Sequence, residues 1–316
     1  MNSGKNLFIS WTIGNPRTRD LGRHLGIDVS FVHHKGSLIT RYIKQTLATW
    51  KLLRAEKPKV VVIMLPPLPL LLVAAIYAKL HRGFIIADMH TGAFNDPRWK
   101  WSLSLTLRLL RNHSAIVTNN FLAEICRDKG VRAEVLHDAI ESSRTGSFPV
   151  KPTSVLCPVS YANDEPIENI IHAAKVTPEL DWIFTGNAPE DVKKAAPENV
   201  TFTGYVTNDS FNQLMEEAGV VVALTTRPHT MQRAGYEALS FGVPQVTSDF
   251  SVLREFLADA AFYTELSGSA IARSVQIAVE QRHKMASDVI RVRGLRMREQ
   301  QDQLAKIRLA VEEKSA

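Results

Sequence analysis

The run Val60-Val-Val-Ile-Met64 constrains this chain most: it is apolar without alternation, preceded by Lys57 and Lys59 and followed by Pro66 and Pro67. A strand with one wet face alternates, whereas a strand covered on both faces reads as a continuous apolar run. Such strands sit in parallel sheets between helical layers. Similar short runs recur at 6–10, 83–88, 115–118 and 132–136. A polar segment opens a helix at Arg17, and the segments 68–80 and 99–111 have crossover-helix length. The pattern predicts a doubly wound parallel α/β sheet.

A sequence of 316 residues is about twice the common single-domain size, so two domains are expected. The Ser-, Gly- and Pro-rich stretch 141–152 is the best boundary signal. Beyond it the pattern restarts, with strands at 154–159, 182–185, 200–203, 220–224 and 243–247 and helices at 167–175, 209–217 and around 236–239. Residues from 270 onward are charged and helix-prone. The expected architecture is two Rossmann-like doubly wound domains, 1–150 and 151–270, facing a cleft. A helical segment, 271–316, returns to the first domain. Ligands of such folds sit at the carboxyl ends of the strands.

Composition removes several classes. With 45% hydrophobic and 22% charged residues the chain has a real core, and two cysteines, Cys126 and Cys157, exclude a disulfide scaffold. They fit reduced thiols in the cytoplasm. No secretory leader is read at the start. The apolar stretch 60–80 carries three prolines near one end, which favours strand, loop and helix over a membrane span. Charge is divided unevenly: residues 1–150 hold 21 Lys and Arg against 10 Asp and Glu, and the remainder is acidic. A basic half suits an anionic partner, but no nucleic-acid-binding module accompanies it.

The most specific segment is 225–244, Thr-Thr-Arg-Pro-His-Thr-Met-Gln-Arg-Ala-Gly-Tyr-Glu-Ala-Leu-Ser-Phe-Gly-Val-Pro. It follows an apolar strand, crosses a loop and opens a helix. Backbone N–H groups at that helix start suit a diphosphate. Glu237, one or two turns in, is placed to accept from two vicinal hydroxyls of a ribose; a local pairing of this carboxylate is the alternative. Gly242 ends the helix and Pro244 cannot continue it.

Residues 236–244 resemble the E-A-x-x-x-G-x-P element of GT-B glycosyltransferases, the retaining fourth family above all. The strand ending at Gly186 and the element Phe202-Thr-Gly204 fall in that family's order. The resemblance implies a nucleotide-sugar donor, UDP- or GDP-linked, held mainly by the second domain with Glu237 on the ribose. The family's sugar-contacting Glu lies eight residues earlier, where this chain has His229, followed by Thr230. Its basic residues after the domain's first strand are absent from Ser160-Tyr-Ala-Asn-Asp-Glu-Pro166, which leaves Arg227 or Arg233 to meet the diphosphate.

In the first domain the resemblance implies that His90, just past a strand end, is the cleft histidine, with Asp88 to orient its ring. His137-Asp138 lies near the family's Asn-Gly element. Gly14, with Arg17 and Arg19 at a helix start, suits an acceptor phosphate. The segment 98–111 mixes Trp99 and Trp101 with leucines and arginines, as an interfacial membrane element does.

Together these features imply a metal- and cofactor-independent, retaining glycosyltransferase. Its acceptor is a glycan or lipid-linked intermediate of cell-surface polysaccharide or glycolipid synthesis. It works in the cytoplasm, peripheral to an anionic membrane. Another nucleotide-sugar enzyme of this fold, such as an epimerase, and a catalytically silent sugar-nucleotide binder are the alternatives.

Overall fold

The computed structural model describes residues 6–315. The chain divides into two compact units, 1–139 with 300–316, and 140–299.

The first unit is a six-stranded parallel sheet of β1 (Leu7–Ser10), β2 (Asp28–Phe31), β3 (Val60–Leu65), β4 (Phe84–Met89), β5 (Ser114–Val117) and β6 (Arg132–Val135), in the order β2-β1-β3-β4-β5-β6. All six residues of β3 are buried. Its alternate residues serve two cores. Val61, Ile63 and Leu65 meet one helical layer, α2 (Leu38–Glu56), α3 (Leu68–His81), α6 (Leu103–Leu109) and α7 (Asn120–Asp128). Val60, Val62 and Met64 meet Leu21 and Leu25 of α1 (Pro16–Leu25), together with Ile307 and Val311.

The elements here that the sequence pattern does not mark include β2, α2 and α7. β2 is a partly exposed edge strand, and α2 buries Gln45, Thr49 and Leu53 while exposing isoleucines and leucines, which blurs its periodicity. The expected helix at 99–111 is broken. A short α4 (Gly92–Asn95) and α5 (Pro97–Lys100) precede α6. Trp99 is half-buried 6.3 Å from Tyr42, whereas Trp101 is 71% exposed. The two tryptophans therefore do not form one membrane-inserting pair.

The second unit is a parallel sheet of β7 (Lys151–Cys157), β8 (Asp181–Thr185), β9 (Val200–Gly204), β10 (Ala218–Ala223), β11 (Gln245–Ser248) and β12 (Ala261–Thr264), in the order β12-β11-β10-β7-β8-β9. Its helices are α8 (Ile167–Val176), α9 (Glu190–Ala195), α10 (Asn208–Glu217), α11 (Arg233–Phe241), α12 (Ser251–Leu257) and α13 (Gly268–Ser315) as far as Glu299, the rest of α13 belonging to the first unit. Ile271 and Val275 of α13 pack on one face of this sheet, and Ala238 and Phe241 of α11 on the other. The stretch read as a linker is tied down in this unit. The buried Glu216 accepts from Thr145 N at 2.6 Å and Thr145 Oγ1 at 2.7 Å, so the division falls at Ala139 instead of near residue 150.

Strand order reverses between β1 and β3 in the first unit and between β7 and β10 in the second. These are the crevices where parallel sheets bind ligands.

Candidate functional site

At the reversal point of the second unit, two loops leave the carboxyl ends of β7 and β10. Asp164, 7% exposed, ties them: it accepts from Thr225 Oγ1 at 3.1 Å and Gln232 Nε2 at 3.3 Å, and its carbonyl accepts from Thr226 N at 2.7 Å. Arg227 lies 3.8 Å from the same carboxylate and donates to Asn163. Asp164 has no sequence signal, because its partners lie more than sixty positions away and only the fold brings them near.

The clamp presents the start of α11. No acidic residue stands in its first turn and the side chain of its N-cap residue, Gln232, makes no capping bond, so the positive end of the helix dipole is not neutralised by a cap. At its other end Gly242 adopts φ 70° and its N–H bonds back to Ala238 and Leu239, a left-handed C-cap that a side chain would strain.

Of the residues expected around a donor, His229, Thr230, Arg233 and Glu237 gather here. Arg233 Nε donates to Glu237 Oε1 at 2.7 Å, one turn along α11. That is the local pairing kept as the alternative reading of Glu237. Half-exposed, such a pair contributes little, so a ligand can displace it at small cost. His229 adopts φ 63°, and burial holds its imidazole below the usual histidine pKa, favouring the neutral ring at pH 7. Thr230 is buried, and its hydroxyl has no hydrogen-bond partner in the protein. Tyr161, also at φ 58°, shares this property; burial pushes its phenol up to about 12.

Three expected donor residues behave differently. Ser160 is committed internally: its N–H bonds both Glu165 carboxylate oxygens at 3.1 Å and its hydroxyl bonds one at 3.2 Å. The loop closes on its own acid. Gly186 adopts φ 79°, and a Cβ there would lie 2.3 Å from Val159 O, so only glycine lets it pack closely on the loop after β7. Gly204 ends the edge strand β9, where its carbonyl accepts from Gly186 N at 2.9 Å.

In the first unit, Arg17 lies in the core of a charged cluster and is not free for an acceptor phosphate. Its Nη2 donates to Asp88 Oδ1 at 2.9 Å and to Leu136 O at 3.0 Å, and its Nη1 to Asp138 Oδ1 at 2.8 Å. Asp88 is fully buried. Burial alone would raise its carboxyl pKa, but Arg17 and His90 outweigh this and hold it well below the usual range. His90 Nε2 lies 3.3 Å from Asp88 Oδ2, so the carboxylate orients a ring that remains a quarter exposed.

Arg19 is exposed, over the Phe31 ring at 5.4 Å and against Gly14. Beside them, where β1 and β3 end, lies an unforeseen cavity of about 240 Å³, lined by Trp11, Tyr42, Trp99, Arg41, His33 and Gln45 among others. Gln45 is 1% exposed, and its Oε1 has no partner in the protein.

Residues 162–281 match the family described as Glycosyl transferases group 1. No curated protein matches the sequence. Among solved structures, Anabaena HepE in complex with UDP and glucose is similar at 15% identity, with 98% of each chain covered and a TM-score of 0.71. A glycosyltransferase from Rickettsia africae is similar at 8% identity, 98% of each chain and a TM-score of 0.72. A putative UDP-N-acetylglucosamine 2-epimerase from Listeria monocytogenes follows at 10% identity, covering 89% of this chain and 90% of that one, with a TM-score of 0.62. These identities speak for the fold, and the family match for the second unit. With its two doubly wound parallel sheets, the chain has the GT-B fold of these solved structures, and residues 162–281 of its second unit match the group 1 glycosyltransferase family.

Proposed function

We propose that the second unit binds a nucleotide-sugar donor at the start of α11 and that the enzyme transfers its sugar to a glycan or lipid-linked acceptor. The carrying observation is the convergence of His229, Thr230, Arg233 and Glu237 on one uncapped helix start at the strand-order reversal. In this reading the helix N–H groups, with Arg233, take the diphosphate as its charge grows on leaving. Displaced from Arg233, the Glu237 carboxylate accepts from the ribose hydroxyls. Neutral His229 and the Thr230 hydroxyl bond the sugar. The binding of UDP and UDP-glucose by HepE supports UDP-glucose as the first donor to try.

The acceptor belongs to the first unit, in the aromatic cavity beside β1 and β3 instead of at Arg17. His90, held by Asp88 just past the end of β4, is the residue of this unit suited to orient the donor sugar or take part in proton transfer. Metal-independent retention of configuration, with no cofactor, and a place in cytoplasmic polysaccharide or glycolipid synthesis complete the proposal.

Thermal shifts with UDP-, GDP- and dTDP-sugars, followed by transfer or donor-hydrolysis assays in the presence of EDTA, test it. A UDP-sugar should stabilise the protein and be turned over. Absence of stabilisation by any nucleotide sugar overturns the reading. The likeness to the 2-epimerase supports a second reading; acceptor-free conversion of UDP-N-acetylglucosamine to its 2-epimer would establish it.

A further inference from the structure

The layer formed by α2, α3 and α6 carries a surface that glycosyl transfer does not account for. Helix α2 exposes Ile39, Ile43 and Leu47, between 54% and 73% accessible, at a spacing of four residues. Its neighbour α3 repeats the device with Leu72, Ile76 and Leu80, between 39% and 64%. Trp101 and Leu105, where α6 packs beside α3, continue it at 71% and 40%. Residues four apart stack along one side of a helix. Because α2, α3 and α6 bury their opposite sides in the same core, these stripes belong to one outer layer.

The other face of the same sheet is the internal control. There, α1 and the end of α13 expose a single large apolar residue, Leu309, among the described residues. Isolated apolar side chains on a surface are ordinary, but adjacent stripes on neighbouring helices mark an interaction site.

Charge selects the partner. Between Asp28 and Asp88 the chain has nine Lys and Arg and one acidic residue, Glu56. Lys44, Lys51 and Arg54 of α2 and Lys79 and Arg82 at the end of α3 are exposed beside the stripes. Two copies of this face would oppose like charges, whereas an anionic bilayer supplies both an apolar interior and neutralising phosphates. No described helix is long and apolar enough to cross a membrane, so the contact is lateral.

We propose that the α2–α3–α6 layer is a docking face for anionic lipid bilayers, with the aliphatic stripes entering the headgroup boundary and the lysines and arginines meeting lipid phosphates. The face stands independently of the donor reading.

Co-sedimentation of the full-length protein with phosphatidylcholine vesicles, with and without phosphatidylglycerol, tests it. Binding should require the anionic lipid and weaken with salt, as charges screened over about 8–10 Å do. The triple variant Ile39→Ser, Ile43→Ser, Leu47→Ser should lower the partition coefficient at least about tenfold. Charge reversal by Lys44→Glu and Lys51→Glu should also cost about tenfold or more, and it tests the face without altering apolar residues. Equal binding to neutral lipid, unchanged binding in both variants, or a concentration-dependent dimer with no vesicle binding would overturn the proposal. UDP-glucose binding in the same preparations reports separately on the donor site.

Discussion

Arg17, in the first turn of α1, donates three hydrogen bonds to Asp88 at the end of β4, at distances of 2.9 and 3.1 Å, across 71 residues of sequence. The pair links a helix start to the strand end that carries His90, with Asp138 accepting from the same guanidinium. Both partners are buried, so removing either leaves a charge without compensation. Arg17→Ala should destabilise the protein by about 3–5 kcal/mol, measured by urea unfolding. Lysine, with one compact charge, cannot reproduce the fork and should rescue little.

The same pair sets an acid limit. The Asp88 carboxyl titrates far lower in the folded protein than in the unfolded chain, where its pKa is about 3.9. Its contribution is therefore fully present above about pH 5 and is lost as pH falls through and below the unfolded value, where only the unfolded state takes up the proton. Unfolding free energies between about pH 6 and pH 3 should fall less steeply in Asp88→Asn, which starts from lower stability.

At the donor site, Glu237→Ala should weaken UDP binding about 10- to 150-fold, the worth of a charged hydrogen bond of about 1.5–3 kcal/mol. Calorimetric titration measures it. Because the native Arg233 pair is exposed and weak, the melting temperature should stay close to wild type. Unchanged UDP affinity in the folded variant removes Glu237 from the ribose.

His229→Ala is expected to leave UDP affinity nearly intact while lowering turnover or changing sugar preference. Parallel measurement of UDP affinity and transfer rate separates the two effects. Equal losses for UDP and the intact donor would assign His229 to the nucleotide.

Thr230→Val replaces a buried hydroxyl that has no partner in the protein by a methyl of similar size. Stability should be unchanged or raised, since nothing in the folded chain loses a bond. Binding of the intact donor should weaken about fivefold, the value of one hydrogen bond of about 1 kcal/mol.

Strands such as β3 were legible because burial on both faces writes an unbroken apolar run into the sequence. The start of α11 was legible because its ends carry local chemistry, from the loop at 225–232 to Gly242 and Pro244. What stayed hidden depends on distant partners. A basic residue at a helix start reads as an anion site whether or not a carboxylate waits 71 positions away, and only the sheet brought Asp88 to Arg17. Ser160 likewise looks free until its loop folds back on Glu165. Helix α2 inverts the usual rule, burying Gln45 and Thr49 while exposing Ile39, Ile43 and Leu47. Local sequence marked the buried central strands and the helices with clear ends, because periodicity and caps act over a few residues. The tertiary structure alone decided which charges are spent internally and which apolar faces remain in water, because both depend on what the rest of the chain places against them.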